Sequence, residues 1–197
     1  MENLNNLDFL KVKQQSNDLQ AEFKRMAEIL FEQFVIIKFD ETKYCLADIE
    51  FYILARWHQD FYSYGKEQQK TFGKLWRHYS GLDLTFGDES QNIWGGILIR
   101  AVIEMKNWNL FDGCTIAYDE LTKGQVEFDE QDFVKSGLSY SISKFKDIGD
   151  SLRTRTRQGL TLEQFEKKSS AFDQNSFKVD DFNDLNGYRS KQYRFRI

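Results

Sequence analysis

The residues best suited to chemistry are a carboxylate and a guanidinium, each set in an apolar run. Asp48 and Glu50 interrupt the stretch Tyr44 to Tyr52, and Arg100 stands among the aliphatic side chains of Ile97 to Met105. A carboxylate fixed on a strand can orient water as a general base and stabilise developing positive charge, with a cation beside it tuning its field. Tyr52, Trp57, Tyr62, Tyr64, Trp76 and Tyr79 supply rings for stacking on a planar ligand, worth ~1 to 3 kcal/mol per base. His58 and His78 are the only histidines and are candidates for substrate contact. Neither has a Cys or acidic neighbour at metal-ligand spacing, so no metal and no cofactor is expected. The run Arg153-Thr154-Arg155-Thr156-Arg157 is a candidate for phosphate contact. Each feature also has a plainer reading. Glu50 and Arg100 can be a partly buried ion pair, the rings can be core, and the arginines can be a solvated segment. Cys45 and Cys114 lie in apolar runs and read as buried free thiols, not as a disulfide framework or a nucleophile. Gly95-Gly96 precedes a strand, whereas phosphate cradles precede helices.

The elements that position these groups follow from periodicity. Leu19, Phe23, Met26, Ala27, Leu30 and Phe34 have helical spacing behind a cap at Ser16 or Asn17. Phe34 to Phe39 and Tyr44 to Tyr52 read as a hairpin around Asp40-Glu41-Thr42-Lys43. Strict alternation puts Cys45, Ala47, Ile49, Phe51 and Ile53 on one face of the second strand, and Asp48, Glu50 and Tyr52 on the other. Residues 54 to 74 lack a period and read as a long aromatic loop. Leu82 to Phe86 alternates as a strand, and Ile97 to Met105 forms another, with Leu98, Arg100, Val102 and Glu104 on one side. Thr115 to Leu121 reads as a strand, and Asp129 to Lys135 and Ser143 to Ile148 as short helices. Domain size allows residues 16–197 as one unit behind a polar extension over 1–15.

Composition limits the partners. With 41% apolar and 16% aromatic residues the chain can bury a large core without disulfides. The net charge of −4 has the wrong sign for gripping duplex DNA mainly through phosphates. It is uneven, however: Ser151 to Ile197 carries ten Lys or Arg against six Asp or Glu. There is no proline, so turns rely on Gly, Asn and Asp. No basic segment followed by an apolar one opens the chain, and no apolar run approaches the ~18 residues of a membrane span. A cytoplasmic, monomeric protein with no membrane contact is expected.

Taken in order, the helix ending Ala27-Glu28-Ile29-Leu30, the strand Phe34 to Phe39, a turn, and Asp48-Ile49-Glu50-Phe51-Tyr52 resemble the opening of the 3-methyladenine (alkylpurine) DNA glycosylases. Ile97-Leu98-Ile99-Arg100-Ala101-Val102-Ile103-Glu104 is similar to that family's Leu-Leu-Arg-Ala-x-Glu strand. The likeness runs from about Ala27 to Glu104 and returns faintly in Arg157-Gln158-Gly159-Leu160 and Tyr193-Arg194-Phe195. The resemblance implies an α/β (α+β) fold with a mostly antiparallel curved sheet or partly open barrel flanked by helices. It also implies a monofunctional glycosylase that extrudes a damaged purine from duplex DNA and hydrolyses its N-glycosidic bond. In that light Glu50 matches the carboxylate that activates water, Tyr52 the stacking ring, and Arg100 the cation beside the site. Where the family carries a Tyr-Gly-x-Tyr wedge followed by an Asn, this chain has Trp76-Arg77-His78-Tyr79-Ser80-Gly81-Leu82-Asp83 and no matching Asn. Tyr79 or His78 would take the wedge position. Two other readings use the same residues: a hydrolase or binder of small nucleosides, and a non-enzymatic interaction protein with the loop Trp57 to Tyr64 as its surface.

Overall fold

The computed structural model describes residues 7–12, 18–124, 126–147, 149–158 and 191–197. The expected caps Ser16 and Asn17, Ile148, Gly159-Leu160 and most of the basic C-terminal stretch lie outside them. The first helix, α1 (Leu19–Gln33), is capped by Asp18, whose carboxylate accepts from Ala21 N at 2.9 Å. Its buried stripe, Leu19, Phe23, Met26, Ala27 and Leu30, is the one its spacing predicts. Leu7 and Leu10, within the stretch read as a polar extension, are also core residues.

The protein is α+β, built on a strongly curled antiparallel sheet. β1 (Phe34–Lys38) pairs with β2 (Lys43–Ala55), and β2 runs along β6 (Trp94–Glu104). β5 (Gly81–Phe86) and β4 (Phe72–His78) follow on one side, and β10 (Leu138–Ile142) flanks β1 on the other. The curl brings the two outer strands together: Tyr140 Oη on β10 donates to Gly73 O on β4 at 2.8 Å. Gly73 sits at a bulge with φ +69°, a conformation that favours glycine. α1 covers one face through Phe23, which stacks on Phe51 at 4.5 Å and meets Tyr193 edge-on at 4.9 Å. Short strands complete the sheet: β3 (His58–Gln59), β7 (Leu110–Asp112), β11 (Arg153–Arg155) and β12 (Arg194–Arg196).

The strict alternation expected for β2 and β6 does not hold. On β2 the core residues are Tyr44 and Leu46, then Ile49, Phe51 and Ile53; on β6 they are Ile97 and Ile99, then Val102. The register steps from Leu46↔Val102 to Asp48↔Ala101 to Ile49↔Ile99, so Ala47 and Arg100 lack partners. This bulge shifts the phase of both strands. Val102, expected beside Arg100, therefore faces the core. Thr115 to Leu121, expected as a strand, is helical within α2 (Cys114–Thr122), which buries Ala117 and Leu121 four residues apart. Asp129 to Lys135 is not a helix: the Asp129 carboxylate accepts from Gln131 N and Phe133 N in a turn that joins β8 (Glu127–Phe128) to its antiparallel partner β9 (Val134–Ser136). Residues 143 to 147 form neither helix nor strand, with Ser143 N donating to Gln33 O and Phe145 N to Glu32 O. The supposed long loop contains the end of β2, β3, a 3-10 turn (Glu67–Lys70) and the start of β4.

Candidate functional site

Adjacent register pairs place one row of residues across the sheet: Arg155↔Arg194, Arg194↔Glu50, Glu50↔Leu98, Leu98↔Asp83 and Asp83↔Trp76. Five strand spacings make this row ~24 Å long. It lies on the face away from α1, because its neighbours Ile49, Phe51, Ile97, Leu82 and Leu84 belong to the core.

Glu50 sits in the middle of the row and has no accessible surface. Arg100 Nη1 lies 3.2 Å from Glu50 Oε2, and the Tyr52 hydroxyl donates to the same oxygen at 2.7 Å. Gln158 N donates to Oε1 at 3.1 Å, and Arg194 Nε stands 3.8 Å from that atom. Arg100 keeps 16% of its side chain exposed, whereas the Glu50 side chain has none. Its Nη2 donates to Gln158 Oε1 at 3.3 Å, while its Nε is buried and has no hydrogen-bond partner among the described residues. Alternation from Leu98 brings Arg100 to this face, and the bulge beside it turns Val102 to the core. Burial, followed by the charge of Glu50, pushes the Tyr52 phenol well above its ordinary range, so it remains a donor.

Asp48, next along β2, is held by Arg194 through Nε at 2.9 Å and Nη2 at 2.5 Å. Arg196 bridges Asp48 at 3.4 Å to Asp112 at 2.8 Å. Three arginines thus alternate with three carboxylates, and two acidic side chains can share a buried face without net repulsion.

Arg157 was expected among exposed arginines and is buried instead. It pairs with Asp60 at 2.5 Å, both side chains fully enclosed, and lies over the rings of Tyr52, Tyr193 and Tyr62 at 4.8, 5.4 and 5.6 Å. Burial alone would lower its pKa; the Asp60 carboxylate outweighs that and raises it. In this position Arg157 anchors Gln158 over Glu50 and is withdrawn from any phosphate. Arg153 and Arg155 remain exposed on β11.

The His78 side chain is enclosed, and His58 is half-buried. His78 Nδ1 accepts from Ser80 N at 3.1 Å, which leaves Nε2 to donate to Asp83 Oδ1 at 2.8 Å. Asp83 therefore turns inward, not toward solvent. The His78 ring packs against Tyr64 and Trp76 at 4.8 and 5.0 Å, and the Tyr64 hydroxyl meets Ser80 Oγ at 2.6 Å. These contacts brace the β4–β5 turn, whose Tyr79 is 100% exposed. Burial lowers the His58 pKa to about 4, so the ring is neutral near pH 7. Burial also pushes the Cys45 thiol up, against a thiolate nucleophile.

Asp60, Arg194 and Arg196 were not singled out from residue types and spacing. Asp60 carries no periodic signal, and the terminal arginines stood out only as part of a basic stretch. No cluster of His, Cys, Asp or Glu suited to a metal occurs among the described residues, and no described helix is long and apolar enough to cross a membrane. Compared with known proteins, the chain matches no family model and no curated protein.

Proposed function

We propose that the protein is a DNA glycosylase that excises alkylated or deaminated purines. Its parts are a buried carboxylate to activate water, a recessed cation, and an exposed ring to hold the extruded nucleotide's place. The observation that carries this reading is the Glu50–Arg100 pair, 3.2 Å apart at the centre of a row bounded by exposed Arg155 on one side and the braced Tyr79 turn on the other. Tyr79 enters the duplex where the base leaves, and Arg153 and Arg155 contact phosphate. Arg100 Nε has an N–H to give to a guest. Glu50 accepts the proton of the attacking water as positive charge grows on the sugar. With Gln158 N on Oε1 the carboxylate is closed, so the reaction requires Gln158 to withdraw.

That saturation favours a second reading, in which the charged row is a structural ion network in a non-catalytic protein. Incubation with duplex containing hypoxanthine or an alkylated adenine separates the two. The glycosylase yields abasic sites, and Glu50→Gln yields none while still binding the duplex. Absence of product from the wild type, or equal product from the variant, favours the structural network.

A further inference from the structure

One edge of the Arg100 guanidinium is left almost unmet. Its Nη1 faces Glu50 Oε2 at 3.2 Å. Nε and Nη2 point the other way, as a parallel pair of donors; the same edge of Arg194 holds both oxygens of Asp48 at 2.9 and 2.5 Å. On Arg100 this edge carries one long contact, Nη2 to the Gln158 side-chain oxygen at 3.3 Å. Nε is buried without a hydrogen-bond partner among the described residues. A buried donor on a charged group is costly to leave unmet, and a side-on edge of this kind is complementary to two oxygens of one anion.

Gln158, which covers that edge, is the most displaceable part of the site. Tyr52, Arg100 and Arg194 stand on strands of one hydrogen-bonded sheet, whereas Gln158 lies beyond the end of β11, in no strand, and is exposed. The residue before it is fixed, because Arg157 is enclosed with Asp60 among three rings. Rotation between Arg157 and Gln158 therefore carries Gln158 away from Arg100 and Glu50 together and leaves the anchor in place. Charge on this face selects the guest. Arg100, Arg194 and Arg196 are balanced by Glu50, Asp48 and Asp112. Arg153 and Arg155, exposed on β11, share the face through the pairs Arg153↔Arg196 and Arg155↔Arg194 and leave it two positive charges in excess among the described residues. Arg155 stands two strand spacings, ~10 Å, from Glu50. A phosphate group, with a charge of about −1.5 to −2 near pH 7, suits this excess better than a singly charged carboxylate.

We propose that the Nε–Nη2 edge of Arg100 is an oxyanion subsite that takes a phosphate group in place of the Gln158 side chain, and that the incoming phosphate lifts Gln158 from Glu50. Arg100 then stands between two anions, one on each edge. The Gln158 N–H leaves Glu50 Oε1 as its side-chain oxygen leaves Arg100, so binding uncovers the carboxylate. This supplies the withdrawal that the glycosylase reading requires, yet it rests on the geometry at Arg100 and not on that reading.

Titration of the full chain with inorganic phosphate at constant ionic strength, followed by nitrogen–proton correlation NMR without DNA, tests the subsite separately from any base excision. The Arg100 Nε–H and Gln158 amide signals are expected to shift together and to saturate. Gln158→Ala removes the competing oxygen and is expected to tighten phosphate binding by at least ~3-fold, the worth of one neutral hydrogen bond. Arg100→Lys keeps a charge beside Glu50 but has no paired edge; with native circular dichroism it is expected to lose the saturable shift at Gln158. Deoxyadenosine monophosphate used in place of inorganic phosphate identifies the source: tighter binding assigns the site to a nucleotide, and equal or weaker binding to the free ion. A wild type without a saturable shift at either signal overturns the proposal. So does weaker binding by Gln158→Ala, because Gln158 is then part of the site and not its cover, or an unchanged titration of Arg100→Lys.

Discussion

At the residue scale the account rests on how fully each buried charge is matched. Glu50 and Arg100 were legible as isolated charges in apolar strands, because an ionised group at such a position needs a partner or a purpose. What could not be read was their environment: Gln158, Arg194 and Asp60 come from sequence positions whose approach is set by strand pairing. Arg157 illustrates the limit, since a run of alternating arginines and threonines looks solvated, and only tertiary structure reveals a carboxylate and three rings around its last member. Removing that guanidinium by Arg157→Met leaves Asp60 enclosed without its cation. A loss of about 3 to 5 kcal/mol is expected in urea unfolding, whereas Arg155→Met on exposed β11 should change stability by less than about 0.5 kcal/mol. At the fully exposed Tyr79, Ala substitution should leave the unfolding midpoint unchanged yet reduce abasic-site formation.

Among the elements, α1 follows from its single apolar stripe, while the β1–β2 hairpin, β5 and β6 follow from apolar runs bounded by turn residues, although β2 and β6 are buried on both faces. The failures have local causes. α2 is short and begins with β-branched Thr115 and Ile116, so its two buried positions, Ala117 and Leu121, are too few to reveal a helical period. The bulge between β2 and β6 leaves no mark in composition, yet it decides which side chains share a face with Glu50. Close packing at Gly96 is a second hidden constraint. A Cβ there would lie 2.4 Å from Asp83 Oδ2 and 2.8 Å from Gln69 Nε2, both buried. Gly96→Ala should therefore destabilise the fold by roughly 1 to 3 kcal/mol and loosen the β4–β5 turn. Hydrogen exchange at the amides of Ser80 and Gly81 would register that loosening.

For the molecule as a whole, the −4 net charge and the few exposed arginines of β11 mean that the proposed DNA contact is weak and shallowly salt-dependent, because the salt slope scales with the few phosphates neutralised. Acid stability follows from His58. Burial holds its folded pKa at about 4, below the ordinary histidine value of 6.5, so the unfolded chain binds the additional proton. Stability contributed by the neutral ring is complete above about pH 6.5 and is lost as pH falls toward 4, by roughly 2 kcal/mol for a partly accessible ring. Thermal unfolding followed from pH 7 to 4.5 should show this decline, and His58→Gln should flatten it. The proposed glycosylase activity requires Glu50 to perform chemistry and not merely to complete an ion network. Its most direct test is the single-turnover rate of base release from a lesion-containing duplex, with Glu50→Gln compared at equal folded fraction and saturating DNA. Under that requirement the wild type releases base measurably and the variant at least ~100-fold more slowly, as expected for loss of a general base. Release by the variant at the wild-type rate, or none from either protein, would contradict it.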